Sequence, residues 1–328
     1  MASSKPLAVV ILAAGQGTRM TSNLPKVLHQ AAGKPLLGHM IDIARRLSPD
    51  KIIIVVGHGA DAVKQTFAKD DNLRFVLQAE RLGTGHALKQ VRPLLENFEG
   101  SILVLNGDGP LLLKQQTLDD LLASQPADGM AVLTCHTCNP TGLGRIVRSA
   151  NGEVTAIVEE KDADDTQRAI QEINTGIFMF NAQVLTFLDE LSNDNAQGEY
   201  YITDLVALYL QAGLPVNALM RHDEDELLNC LVNDRVQLAR VERLLRDRIR
   251  TRWLGAGVTM IAPEQTFIDD TVTLDKDVIL YPGVWLMGNT HIGEGAVIMP
   301  HVVLTDCQVE AGAVVAAGEV RSQQHLKK

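Results

Sequence analysis

The sequence predicts an α/β protein in which a largely parallel sheet with a mixed extension leads, through one helix, into a short stack of β-coils. Three observations predict it. Apolar runs alternate with amphipathic segments from residue 7 to about 130, the first run ends in a glycine-rich polar turn, and aliphatic residues recur every sixth position beyond Gly255. Alternating strands and helices build parallel sheets covered on both faces. A buried strand that ends in glycines delivers a loop to the carboxyl edge of such a sheet, where ligands gather. A six-residue period is that of a β-helix.

The chain has 328 residues, enough for about two domains, and a net charge of −10. That balance argues against a nucleic-acid surface while leaving room for a local cationic pocket. No apolar run approaches the ~20 residues of a membrane span, and the opening residues lack a signal-peptide core. A cytoplasmic protein with neither membrane nor nucleic-acid partner is therefore expected. Of Cys135, Cys138, Cys230 and Cys307 only the first two form a CxxC pair. A structural metal wants a second pair, so reduced thiols are expected.

The first strand, near Leu7 to Ile11, opens onto LAAGQGTRMTSNLPK, Leu12 to Lys26. Gly15 and Gly17 let the backbone bring bare N–H groups close to an anion. Arg19 supplies a bidentate fork and Lys26 a mobile point charge, a combination suited to a polyphosphate. The stretch is neither a Walker A loop nor a complete dinucleotide fingerprint. A lone GxG would be a plain strand-to-helix turn, but two glycines with Arg19, Pro25 and Lys26 point to phosphate binding.

A helix over 35–47, a strand over 51–56, a helix over 60–68, a strand over 73–77, a helix from about Thr84 and a strand over 101–105 continue the alternation. Polar residues stand at the strand ends. Gln78 offers an amide to the edge of a base, Gly83-Thr84-Gly85 offers N–H groups and a hydroxyl at a helix start, and Asn106-Gly107-Asp108 closes the last strand. The Asp108 carboxylate suits Mg²⁺ bridging phosphates. Taken singly, each of these is what a turn requires; their joint placement on one edge is the signal.

From 129 to about 219 the pattern is mixed, with strands near 131–137, 145–147, 154–158 and 175–180. Gly142, Gly144, Glu159 and Asn174 punctuate their ends, as hydroxyl recognition by a sugar-binding extension requires, although the run Glu159 to Asp162 reads equally as a solvated loop. A helix over 235–253 sets Leu238, Val241, Leu245 and Ile249 on one side, with Arg240, Arg243, Arg246 and Arg250 outside. Two aliphatic sets then follow, Val272, Val278, Val284, Ala296, Val302 and Val314, and, two residues behind, Leu274, Leu280, Leu286, Ile292, Ile298 and Leu304. The rhythm runs from 272 to 320, under three coils of a β-helix, and frays at Thr290 and Gln308.

The motifs LAAGQGTRMTSNLPKVLH, QAERLGTGHA, NGDGPLL, NPTGLGRIV, IVEEKDA, INTGIF and NDNAQGEYYITD, followed by hexapeptides, closely resemble one bacterial family. Its members are N-acetylglucosamine-1-phosphate uridylyltransferases at their N-terminus and glucosamine-1-phosphate N-acetyltransferases at their C-terminus. The resemblance covers the chain in order. It implies a Rossmann-like nucleotidyltransferase domain with a mixed sheet over 1–234, a helical linker arm over 235–255 and a short left-handed parallel β-helix over 256–328.

By that resemblance, Leu12, Ala13, Ala14 and Gly15 hold the nucleotide of UTP, while Arg19 and Lys26 act on its phosphates. Gln78 reads uracil beside Gly83 and Thr84, Asn106 and Gly107 border the nucleotide, and Asp108 and Asn233 hold Mg²⁺. Gly144, Glu159 and Asn174 contact N-acetylglucosamine 1-phosphate. Two departures stand out. Asn106 and Gly109 replace the tyrosine and bulkier residue found in many members, so nucleotide contacts are expected to differ. The chain also ends at Lys328, before the coils in which the family carries its acetyl-transfer histidine and acetyl-CoA pocket, so no acetyl transfer is expected of it. The family's trimerisation through the β-helix is implied too, with little side surface here to support it. A relative acting on another sugar 1-phosphate or nucleotide, and a silent sugar-nucleotide-binding subunit, are the alternatives.

Overall fold

A computed structural model describes residues 5–327, with the backbone alone at Asp225; residues 1–4 and Lys328, the outer ends of the predicted domains, lie outside it. The chain forms two compact units. The first runs as far as His29 and resumes over Leu36–Gln237, and the second takes Gln30–Pro35 and Leu238–Lys328.

Strands follow in chain order: β1 (Leu7–Ala13), β2 (Gln30–Ala31), β3 (Lys34–Pro35), β4 (Lys51–Val56), β5 (Leu73–Leu77), β6 (Ser101–Asn106), β7 (Met130–His136), β8 (Arg145–Arg148), β9 (Val154–Val158), β10 (Glu172–Asn181) and β11 (Val216–Arg221). In the first unit nine of them form one sheet in the order β11-β7-β10-β6-β1-β4-β5, with β8 attached to β10 and β9 to β8. β1 pairs in parallel with β4 and β6, and β5 with β4, whereas β10 runs antiparallel to β6 and β7. The parallel strands are continuous apolar runs because both faces are covered; Val9, Val10 and Ile11 are fully buried, as are Ile53, Ile54 and Val55.

The antiparallel extension begins earlier than its sequence suggests. β10 starts at Glu172 rather than near 175, because a register shift between Asn174 and Ile177 interrupts the period-two alternation that marks a strand. β11, at the sheet edge and half-exposed, carries no such alternation.

In the second unit, twelve short strands beyond Gly255 stack into three parallel sheets of four, a short β-helix. It departs from the sequence reading in three ways. The stack is four strands deep and begins at Thr259–Met260, before the hexad rhythm is visible, because a 3₁₀ turn at Pro263–Gln265 breaks the first coil. Secondly, Trp285 pairs with Val303, eighteen residues on, whereas His291 pairs with Gln308, only seventeen on. The chain turns at Asp306, at φ +51°, with one residue fewer. Cys307 and Ala313 therefore take the inward rungs, and Val314 is 67% exposed rather than internal.

Thirdly, Arg246 is buried instead of solvated. Its Nε pairs with Glu242 at 2.5 Å and its Nη2 with Asp269 at 3.2 Å, while its guanidinium lies over the stacked Phe267 and Trp285 rings. An arginine at that depth is compatible with folding only when so partnered. The β2–β3 hairpin packs in the same unit, with Ala32 N–H donating to Glu242 and Lys34 pairing with Asp270 at 2.7 Å.

Candidate active site

The carboxyl ends of β1, β5 and β6 open onto one cavity of about 900 Å³ in the first unit. Of the residues singled out in the sequence, Leu12, Ala13, Ala14, Gly15, Lys26, Gln78, Gly83, Thr84, Asn106, Asp108, Gly144, Glu159, Asn174 and Asn233 line it. Gly107 and Arg19 do not. Gly107 stands behind the wall, its N–H donating to Leu12 O at 2.8 Å and so locking the end of β6 to the end of β1. Arg19 reaches the cavity through Asn233.

The cationic end is assembled from three segments. Lys26 sits in a 3₁₀ turn and is 8% exposed. An ammonium that deep needs partners. It has two, the Asp108 carboxylate and Asn233 Oδ1, the latter at 2.8 Å. Arg19 Nη2 donates to the same Oδ1 at 3.0 Å. Asn233 is itself fixed by a helix start: Gln237 N–H donates to Asp234 Oδ1 at 2.8 Å, and Gln237 Oε1 accepts from Asn233 N–H at 2.7 Å. This is the reciprocal logic of a capping box. Gly17 stands at φ +63°, and a Cβ there would overlap the Cβ of Lys26, so the glycine is required both by its dihedral and by the lysine packed on it.

At the far end, Glu159 Oε1 accepts from the Thr203 hydroxyl at 3.1 Å. Burial raises the Glu159 pKa, assisted by the nearby Asp204, Asp162 and Glu199 charges and opposed by the threonine bond. The bulge in β10 turns Asn174 toward the cavity, with Gly176 N–H on its Oδ1 at 2.9 Å and Asn174 N–H on Gly144 O at 2.8 Å. Gly176 has φ +77°, and a Cβ on it would come within 2.5 Å of Asn106 Nδ2. Asn106, the departure noted in the sequence, thus rests on a glycine inside the cavity.

Gln78 closes a third wall. It is 4% exposed, and its Nε2 donates to Gly83 O at 3.0 Å. The turn holding Gly83 and Thr84 is docked on residues 200–202, with Gly85 N–H donating to Tyr200 O at 2.8 Å and Ile202 N–H to the Thr84 hydroxyl at 3.1 Å. Sequence reasoning assigned nothing to Thr203, Glu199, Arg81, Gln16, Thr175 or Gly176, which also line the cavity. A signal existed for Arg81, three residues past Gln78 in the same loop, and for Glu199 and Thr203, inside QGEYYITD. The wall can therefore carry phosphates at one end, hydroxyls at the other and a flat ring between.

A family model described as nucleotidyl transferase matches residues 8–258. The chain belongs to the nucleotidyl transferase family. As a nucleotidyl transferase it is similar to curated relatives named bifunctional protein GlmU. That of Streptomyces avermitilis is 46% identical over 319 residues, covering 95% of this chain and 66% of the relative. That of Alkaliphilus oremlandii is 44% identical over 317 residues (96% and 68%), and that of Thermus thermophilus 46% over 318 (97% and 69%). The chain thus spans about two thirds of the length of these relatives. Among the described residues no helix is long and apolar enough to cross a membrane.

Proposed function

We propose that this nucleotidyl transferase moves UMP from UTP to N-acetylglucosamine 1-phosphate, giving UDP-N-acetylglucosamine and pyrophosphate. The observation that carries the reading is the meeting of Arg19 and Lys26 on Asn233, with Asp108 paired to the same Lys26, at the cavity that Gln78, Glu159 and Asn174 line. The phosphate oxygen of the sugar substrate attacks the α-phosphorus of UTP, one P–O bond forms, and the bond to the β-phosphate oxygen breaks as pyrophosphate leaves. The nucleophile is already anionic, so no side chain has to supply one. Arg19 and Lys26 neutralise charge on the triphosphate, and the glycine turn aligns it. Glu159, Asn174 and Gly144 orient the sugar, and Leu12 to Gly15 with Gln78, Gly83 and Thr84 take the nucleoside.

Magnesium fits this donor set. Asp108 and Asn233 present two hard oxygens that already share one cation, the Lys26 ammonium. Among the described residues no cluster of three or more acidic, His or Cys side chains stands ready to enclose a metal, so phosphates and water would complete the shell, as Mg²⁺ prefers. Bound there, the ion would neutralise phosphate charge. The same reading includes the division into a catalytic region over 1–234, a linker over 235–255 and a β-helix over 256–328, a homotrimer formed through that β-helix, and a cytoplasmic setting.

The test is a panel of UTP, CTP, GTP and dTTP crossed with several sugar 1-phosphates, with and without Mg²⁺, read as pyrophosphate release. The expected result is release only with UTP, N-acetylglucosamine 1-phosphate and metal together. Faster release with another pair would replace the substrate assignment.

A further inference from the structure

Gln78 is the end residue of a wall, and the orientation of its amide decides what that wall can read. Its Nε2 donates to Gly83 O at 3.0 Å and lies 3.1 Å from His86 Nδ1. An amide nitrogen only donates and a carbonyl only accepts, so Gly83 fixes which end of the amide faces it. Both Nε2 protons are then engaged, provided that Nδ1 of His86 is an acceptor. The remaining polar atom, Oε1, has no partner among the described residues, and Gln78 lines the cavity. An acceptor at that wall matches the N3–H of uracil and meets the N3 lone pair of cytosine.

We propose that His86 is a positioning residue that holds the Gln78 amide in this sense and thereby sets which pyrimidine the cavity accepts. The inference rests on the nucleotide reading above.

The ring has a competing neighbour. Gln90 Nε2 lies 3.1 Å from His86 Nε2 and also donates to His86 O at 3.0 Å. A neutral imidazole accepts at one nitrogen only, so the two amides cannot both bond to it. Burial decides between them. Gln78 is buried, only 4% exposed, whereas Gln90 lines a second cavity of about 550 Å³ with Lys89 and Arg92 and is half-buried. An unmade bond is more costly at the buried amide. Nδ1 therefore accepts from Gln78 and the ring proton resides on Nε2, with Gln90 left to turn toward its own cavity. With the proton on Nδ1, two donors would face each other and the Gln78 amide would be driven to turn over.

The experiment compares kcat/KM for UTP and CTP in the wild-type protein, His86→Leu and His86→Asn, together with ¹⁵N NMR of the wild-type His86 ring. Leucine keeps bulk but has no acceptor, whereas asparagine can place an oxygen near the former Nδ1. His86→Leu is expected to lower the UTP-over-CTP preference by about 10- to 100-fold, His86→Asn to preserve it, and the ring to carry its proton on Nε2. An unchanged preference in His86→Leu, an equal loss in both variants, or a proton on Nδ1 would overturn the proposal. The NMR result decides even where a variant fails to fold. A wild-type protein inactive with UTP would contradict the functional reading itself, whereas an active leucine variant of unchanged preference contradicts only the role of His86.

Discussion

Lys26 donates to Asn233 Oδ1 at 2.8 Å, across 207 positions of sequence. The same ammonium pairs with Asp108, so a divalent cation at those two oxygens has to displace it. Lys26→Met is accordingly expected to bind Mn²⁺ alone several-fold more tightly than wild type, while its turnover falls by ~10²–10³ through loss of a charge-stabilising contact. An electron paramagnetic resonance titration beside a turnover assay checks both, and an unchanged metal affinity would separate Lys26 from the metal site.

Glu159 gives a pH dependence of definite sign. Burial raises its pKa in the folded protein from the ordinary 4.5, so between that value and the raised one the unfolded chain ionises first and stability declines as pH rises. Glu159→Gln carries no such charge. Its melting temperature should gain on that of wild type as pH climbs through this window and converge with it below pH 4.5, while its KM for the sugar phosphate rises. Parallel melting curves at every pH would remove the buried-carboxylate account.

Two glycines separate strain from function. Gly17→Ala forces alanine into φ +63° against the Lys26 side chain, whereas Gly152 at φ +83° has nothing within 4 Å of its would-be Cβ. Both substitutions should be destabilising by about 1–2 kcal/mol from the dihedral alone. Only Gly17→Ala should also lose turnover, by at least tenfold on the same charge-alignment grounds. Urea denaturation and pyrophosphate assays on the pair make the comparison, and full activity in a folded Gly17→Ala would contradict it.

Arg145, 1% exposed, donates to Leu143 O and to Arg168 O and pairs with Glu160 at 2.6 Å. It therefore braces the Gly142–Gly144 turn against the residue next to Glu159. Arg145→Met removes charged hydrogen bonds to two part-buried carbonyls and the partner of Glu160, which is destabilising by about 1–3 kcal/mol, and should raise KM for the sugar phosphate far more than for UTP. Equal changes in the two KM values would show a general loss of fold instead.

Much of this was legible in the sequence because the signals were local. The strand of residues 7–13 and its glycine loop could be read from apolar continuity and two glycines, and Gln78, Asp108 and Glu159 from their positions at strand ends. What stayed hidden depends on chain separation or on a break in period. Nothing near Arg246 announces Asp269 or the stacked Phe267 and Trp285, so a helical arginine read as solvated. The seventeen-residue coil at Asp306 shifts register by one, which a strict six-residue count cannot follow, and Val314 was misplaced. Thr203 stood inside the QGEYYITD motif, but its contact there is visible only through its bond to Glu159, 44 positions away.

The most direct test of the account is ³¹P NMR of UTP and N-acetylglucosamine 1-phosphate incubated with Mg²⁺ and either the wild-type protein or Asp108→Ala. The account predicts equal amounts of pyrophosphate and UDP-N-acetylglucosamine from the wild type, and a rate lower by at least ~10²–10³ in the variant, which loses the carboxylate proposed to hold the metal. Wild-type protein that forms neither product at any Mg²⁺ concentration, or an Asp108→Ala variant that turns over at the wild-type rate, would contradict it.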